Sequence, residues 1–264
     1  MRWVLPVAVS ILLSVPAHAQ KIQTLEEESG GIRISFEVTG DESQVRQFKA
    51  HALPETRSIL EALASDFGVG GASQAAIYFY SPETYHQKFP KTVDTRMGAF
   101  YDGKAVYARA DNELTYDLRR TLRHELTHLV LAKNFGPLPA WLNEGLAVYE
   151  ERQTAPDPVD RAPNSHEYNT IFINKQDKKT VPFDQLENSA IFNRSQGLIP
   201  AGDAYTTAYI AVYELIQKSG TDAMRQYLAA IGKGKNPRAE LQVYFGIAYE
   251  KMNEFLAQIA AKKS

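Results

Sequence analysis

His124 and His128 stand four residues apart, with Glu125 beside the first, in the run His124-Glu125-Leu126-Thr127-His128. On a helix, residues four apart differ by about 40° around the axis and one turn along it. Both imidazoles then face one way and suit a single metal ion. Glu125 lies about 100° round from His124. It stands beside such an ion rather than on it, within reach of a water that the ion polarises. The competing reading is an ordinary amphipathic helix with its His and Glu in solvent. Leu118, Leu122, Leu126 and Leu129 form an i, i+4, i+8, i+11 stripe, and the His pair lies on its flank, at a cleft edge rather than mid-surface.

A catalytic zinc site takes three protein ligands and keeps one position open. Fifteen residues separate His128 from Glu144, which stands in Trp141-Leu142-Asn143-Glu144-Gly145-Leu146-Ala147. That interval lets the motif helix end at Gly136-Pro137-Leu138-Pro139 and the chain return antiparallel. Glu144 then sits in the first turns of a second helix, level with the His pair. A carboxylate near a helix N-terminus is also favoured by the helix dipole, and the two roles are compatible. Gly145 allows the two helices to approach closely.

The elements that must position these groups are legible as patterns. Ile32, Ile34, Phe36 and Val38 alternate with polar residues, the period of a half-buried strand. A helix follows over Ser43 to Phe67, stopped by Gly68 and kinked or divided by Pro54. Ala75 to Tyr80 reads as a second strand, and 86–96 as a loop. Ala99 to Tyr101 and Ala105 to Ala108 flank Asp102-Gly103, a favoured two-residue hairpin turn. Thr115 caps the motif helix and Asp117 lies in its first turn. The second helix spans Ala140 to about Glu151. Residues 152–200, rich in Pro, Asn, Asp and Ser, read as an irregular insertion. Helices are expected at 204–218, 222–231, from Pro237 behind the cap Asn236, and at 247–261. The expected architecture is α+β. A small N-terminal α/β lobe with a mixed sheet (31–111) precedes a mainly helical lobe (112–264), with the metal site between them.

Composition narrows the function class. The chain has 264 residues, a net charge of −2 and no cysteine. A nucleic-acid binder usually carries a basic surplus, so none is expected as partner, and thiol chemistry is excluded. Residues 1–19 read as a signal peptide: Arg2, the apolar run Trp3 to Val15, then Ala17-His18-Ala19 as a cleavage site. That run is short for a membrane span, so no stable anchor is expected after cleavage. Residues 20–30 read as a polar lead-in. A cysteine-free, non-lipidated export product fits the periplasm or secretion.

His124 to His128 followed by Trp141 to Ala147 resembles the gluzincins, zinc peptidases with His-Glu-x-x-His and a downstream Glu ligand. The stretch from Met97 to Glu151 looks more like the bacterial peptidase MA-like domain than like the aminopeptidase N-like enzymes: a hairpin with Tyr101-Asp102, an edge strand, the motif helix, then Leu138-Pro139-x-Trp141-Leu142 and Glu144-Gly145. The resemblance implies a zincin-like fold and zinc held by His124, His128 and Glu144. It also implies peptide hydrolysis with Glu125 as general base, and an edge strand, here Ala105 to Ala108, to which an extended substrate adds. The chain departs from the pattern in three ways. The His128–Glu144 interval is shorter than in aminopeptidase N-like and thermolysin-like enzymes. No Gly-Ala-Met-Glu-Asn segment is present to grip a free amino terminus. Val148 replaces the Asp that supports a ligand in thermolysin-like enzymes. Glu150 or Glu151 is left to support a histidine. Helical spacing favours Glu151, although two turns is a long reach and a surface Glu is the commoner fate.

Gluzincins often stabilise the oxyanion with a Tyr or His of the helical lobe. Tyr205, at a helix start, is the first candidate here. Tyr209 shares a face with Val212 and Ile216, which suits core packing, and His166 lies in the insertion. Two function classes follow: an exported zinc peptidase acting on peptide or protein substrates, and a non-catalytic zinc-containing module that docks a cell-envelope partner. Glu125 favours the first, because a structural site has no use for a base beside an open coordination position.

Overall fold

The computed structural model describes residues 22–29, 32–39, 42–70, 75–90, 98–110, 115–174, 179–192 and 200–263. The signal segment 1–19 lies outside them. The fold is α+β, with a mixed sheet followed by a mainly helical half. Five strands, β1 (Ile22–Ser29), β2 (Ile32–Thr39), β3 (Ala75–Tyr80), β4 (Ala99–Tyr101) and β5 (Val106–Arg109), lie in the order β1-β2-β3-β5-β4. The outer pairs are antiparallel and the two inner pairs parallel.

Two expectations about this half change. Residues 22–29, expected within a polar lead-in, are a full strand on β2, with Leu25 opposite Phe36. An edge strand needs backbone partners on one side only and tolerates charge, so the glutamates of 22–29 do not prevent pairing. The hairpin loop has four residues rather than two, because Tyr101 pairs with Val106. The Asp102 Oδ1 accepts hydrogen bonds from the amides of Lys104 (2.8 Å) and Ala105 (2.9 Å) and closes the turn by itself.

Helix α1 (Glu42–Phe67) is unbroken despite Pro54 and packs on the sheet through Phe48, edge-on to Phe79 at 5.4 Å. Part of the expected loop at 86–96 belongs to α2 (Pro82–Lys88), whose start is marked by Ser81, its Oγ accepting from the Thr84 amide, and by Pro82 in the first turn. The motif helix α3 (Tyr116–Phe135) begins at the Thr115 cap and ends at Gly136, φ +72°. Leu122, Leu126, Leu129, Val130 and Leu131 are all fully buried. Three consecutive buried residues mean that the C-terminal half of α3 is enclosed on most sides. It packs against β4, β5, α1 and α4 (Ala140–Gln153).

The insertion is only partly irregular. It contains α5 (Ser165–Thr170), capped by Asn164, and several 3-10 turns, pinned where Phe183 meets Trp141 at 4.9 Å between ring centroids. The remaining helices are α6 (Ala201–Ser219), α7 (Thr221–Gly232), α8 (Pro237–Phe245) and α9 (Met252–Lys263). The last starts later than expected, because Gly246 adopts a left-handed conformation and a 3-10 turn at Tyr249–Lys251 intervenes. Helix α6 starts earlier than expected, behind Pro200. Among the described residues no helix is long and apolar enough to cross a membrane.

Gly145 does permit a close approach, but to α6 rather than to α3. A Cβ at 145 would lie 2.4 Å from the Ala208 carbonyl oxygen and 2.7 Å from Val212 Cγ2. The α4–α6 contact therefore fixes the rotation of α4, and with it the direction of Glu144.

Candidate metal centre

Helix α3 presents His124, Glu125 and His128 to one cleft, and α4 runs beside it after the turn at Gly136 to Pro139. Glu144 Oε2 lies 3.7 Å from His124 Nε2 and 3.5 Å from His128 Nε2. One ligand atom from each of the three residues lies within 4.8 Å of the others. The two imidazole rings are 4.9 Å apart and nearly perpendicular. Two nitrogens and a carboxylate oxygen converging on one point form a donor set that suits zinc. Glu144 Oε2 is buried without a hydrogen-bond partner, as a ligand atom would be.

The electrostatics favour a cation at this point. Burial works against a charged His124. The carboxylates of Glu144 and Glu151, with the charge of Glu125, outweigh it and push the imidazole up to about 10. Burial likewise works against an ionised Glu144, yet the two histidines hold it down at about 2. The negative charge that favours a proton on His124 also favours a divalent ion, and the two compete.

Glu151, seven residues after Glu144, does reach the site. Its Oε2 lies 3.2 Å from His124 Nδ1, and Arg120 donates to its Oε1. Burial raises this carboxyl, but His124 and Arg120 together hold it below the usual range. Glu150 turns the other way. It is 2% exposed and accepts from Arg123 at 2.5 and 3.2 Å. Burial pushes it up to about 7, against the pull of Arg123 and with the help of Asp66.

The cleft has a volume of 360 Å³, and its walls include Phe100 and Tyr101 of β4, Leu138 and Tyr205. Glu125 opens onto it, 8% exposed, with no hydrogen-bond partner among the described residues. The structure separates the three oxyanion candidates. Tyr205 lies in the second turn of α6, its ring 6.4 Å from that of His124 and edge-on to Phe192 at 5.1 Å. Tyr209 is 0% exposed, donates to the Arg161 carbonyl at 2.6 Å and carries the Arg152 guanidinium over its ring, so it belongs to the core. His166 is exposed on α5 and does not line the cleft.

The expected edge strand also moves. β5 is enclosed between β3 and β4, so it offers no free edge, and β4 is the strand beside the cleft. The hairpin turns from β4 in to β5, which leaves its first arm outermost among the described residues. Sequence reasoning missed Arg120 and the Phe100 and Tyr101 wall. No local pattern distinguishes them, because they matter only through neighbours on other elements. The chain matches no protein-family model and no curated protein.

Proposed function

We propose that the chain is an exported zinc peptidase of the gluzincin type, with His124, His128 and Glu144 as metal ligands and Glu125 as general base. The observation that carries this reading is the meeting of three ligand atoms from two helices, with a free carboxylate beside them, in one open cleft. Zinc bound there would polarise the scissile carbonyl and acidify water. Glu125 takes the proton from the attacking water and passes it to the leaving nitrogen. Tyr205 donates its hydroxyl to the developing oxyanion. Glu151 accepts the Nδ1 proton of His124, which turns the Nε2 lone pair toward the ligand cluster. The outer edge of β4 pairs with an extended substrate through backbone hydrogen bonds.

Export is supported by residues 1–19, with their basic start, apolar run and Ala-x-Ala site. Periplasm or secretion follows from that segment.

The test is metal analysis of the purified chain together with cleavage of a random peptide library, with and without chelator. About one zinc per chain is expected, with cleavage abolished by chelator and restored by zinc. A chain that holds no zinc rejects the proposal. One that holds zinc and cleaves nothing is the non-catalytic cell-envelope module instead.

A further inference from the structure

Tyr116, Arg120, His124 and His128 follow one another at intervals of four on α3, so they share one face of the helix. Only the last two are proposed metal ligands, yet a chain of contacts runs from the first to the third. The Tyr116 ring carries the Arg120 guanidinium at 5.7 Å. Arg120 Nη2 donates to Glu151 Oε1, and Glu151 Oε2 lies 3.2 Å from His124 Nδ1. Each oxygen of this carboxylate has its own partner, and the two partners stand one turn apart on α3. Two such anchors fix the position and the plane of the carboxylate, whereas one hydrogen bond leaves it free to rotate. Stability does not account for Arg120. Its side chain is 40% exposed, and ion pairs this open to water contribute little.

We propose that Arg120 is a positioning residue for the metal centre: it anchors the Glu151 carboxylate so that His124 presents Nε2 to the ion. Arg120 does not line the cleft and acts only through Glu151. Charge and geometry give its loss opposite signs. Acting by charge alone, Arg120 would repel a divalent ion and offset the negative charge of Glu151, so its loss would tighten metal binding. Acting by position, its loss weakens binding, because His124 is no longer held with Nε2 toward Glu144. The proposal rests on His124, His128 and Glu144 being the zinc ligands, not on peptide hydrolysis.

The test is zinc affinity, measured by competition with a chromophoric chelator on the native full chain, Arg120→Met, Glu151→Gln and the double variant. Met keeps an apolar stem and a good helix propensity, so the variant folds. Arg120→Met should bind zinc about tenfold more weakly. The double variant should bind no more weakly than Glu151→Gln alone, because the effect passes through the carboxylate. The visible spectrum of the cobalt(II)-loaded chain is the second readout. It should change in Arg120→Met, since a reoriented His124 ring alters the ligand field. Native or tighter zinc affinity in Arg120→Met overturns the proposal, and so do additive losses in the double variant or an unchanged cobalt spectrum. A native chain that binds neither ion overturns it together with the metal site. If the affinities fall as expected but the native chain cleaves no peptide, Arg120 keeps its role and the peptidase reading falls.

Discussion

His124 Nδ1 and Glu151 Oε2 lie 3.2 Å apart, although they belong to different helices and Glu151 stands two turns beyond Glu144. The long reach is possible because α4 lies along α3, so its successive turns pass successive turns of the motif helix. Glu144 faces the Nε2 side of both rings, and Glu151 faces the far nitrogen of one. Arg120, on α3, closes the arrangement by binding the other oxygen of Glu151. A single helix pair thus supplies the three proposed metal ligands and the group that would orient one of them.

Glu151→Gln keeps the size of the side chain and loses its charge. Zinc affinity should fall by about 10- to 100-fold, as it does when supporting carboxylates are removed, with the fold intact. Competition with a chromophoric chelator measures this directly. Native affinity in the variant would mean that Glu151 is only an ion-pair partner of Arg120.

Glu125→Gln should retain zinc and lose hydrolysis by roughly 10²–10⁴-fold, because an amide cannot accept the proton. Zinc content and peptide turnover are measured on the same preparation. A variant with native turnover would remove Glu125 from the mechanism.

Tyr205→Phe and Tyr209→Phe should separate cleanly. The first should cost roughly 10²–10³ in kcat, the usual loss for one oxyanion donor, with little change in stability. The second removes the hydrogen bond to the Arg161 carbonyl. It should lose about 1 kcal/mol of stability and leave kcat alone. Thermal melts and steady-state rates on both variants decide, and reversed phenotypes would exchange the roles.

Gly145→Ala should be poorly tolerated for a purely geometric reason. The added methyl would meet backbone, the Ala208 carbonyl at 2.4 Å, which cannot swing aside as a side chain can. Forcing α4 and α6 apart should cost about 1–3 kcal/mol and weaken zinc binding, since Glu144 moves with α4. Calorimetric melts with and without zinc read both effects. An unchanged melting temperature would show that the two helices have slack.

Glu150 sets a pH dependence of stability. Its folded value is about 7 against an ordinary 4.5, so the folded state holds the proton more tightly than the unfolded one. The contribution is fully present below pH 4.5 and is lost as pH rises to about 7. The stability difference between the native chain and Glu150→Gln should therefore shift in favour of the variant across that window. Chemical unfolding at half-unit pH steps tests the sign, and a pH-independent difference would refute it.

What the sequence by itself determined was local. The i, i+4 placement of His124 and His128, the leucine stripe of α3, the Thr115 and Asn236 caps and the Gly136 stop all follow from the geometry of one helix or one turn. The structure reproduces them because such patterns need no distant partner. Glu144 was also within reach of sequence reasoning, since a short connection between two helices leaves few ways to return.

Only the tertiary structure decided the rest. Tyr205 and Tyr209 lie one turn apart on one helix, so periodicity ranks them but does not show which one reaches the cleft. The packing of α4 and α6 does. Glu150 and Glu151 are adjacent and chemically alike, yet one meets Arg123 and the other His124, because neighbours on a helix point about 100° apart. Which strand is the edge depends on register across the sheet, and the partner that requires Gly145 is a helix more than fifty residues away. Local periodicity is written in one segment at a time, whereas contacts between segments depend on crossing angles and registers that no single segment contains.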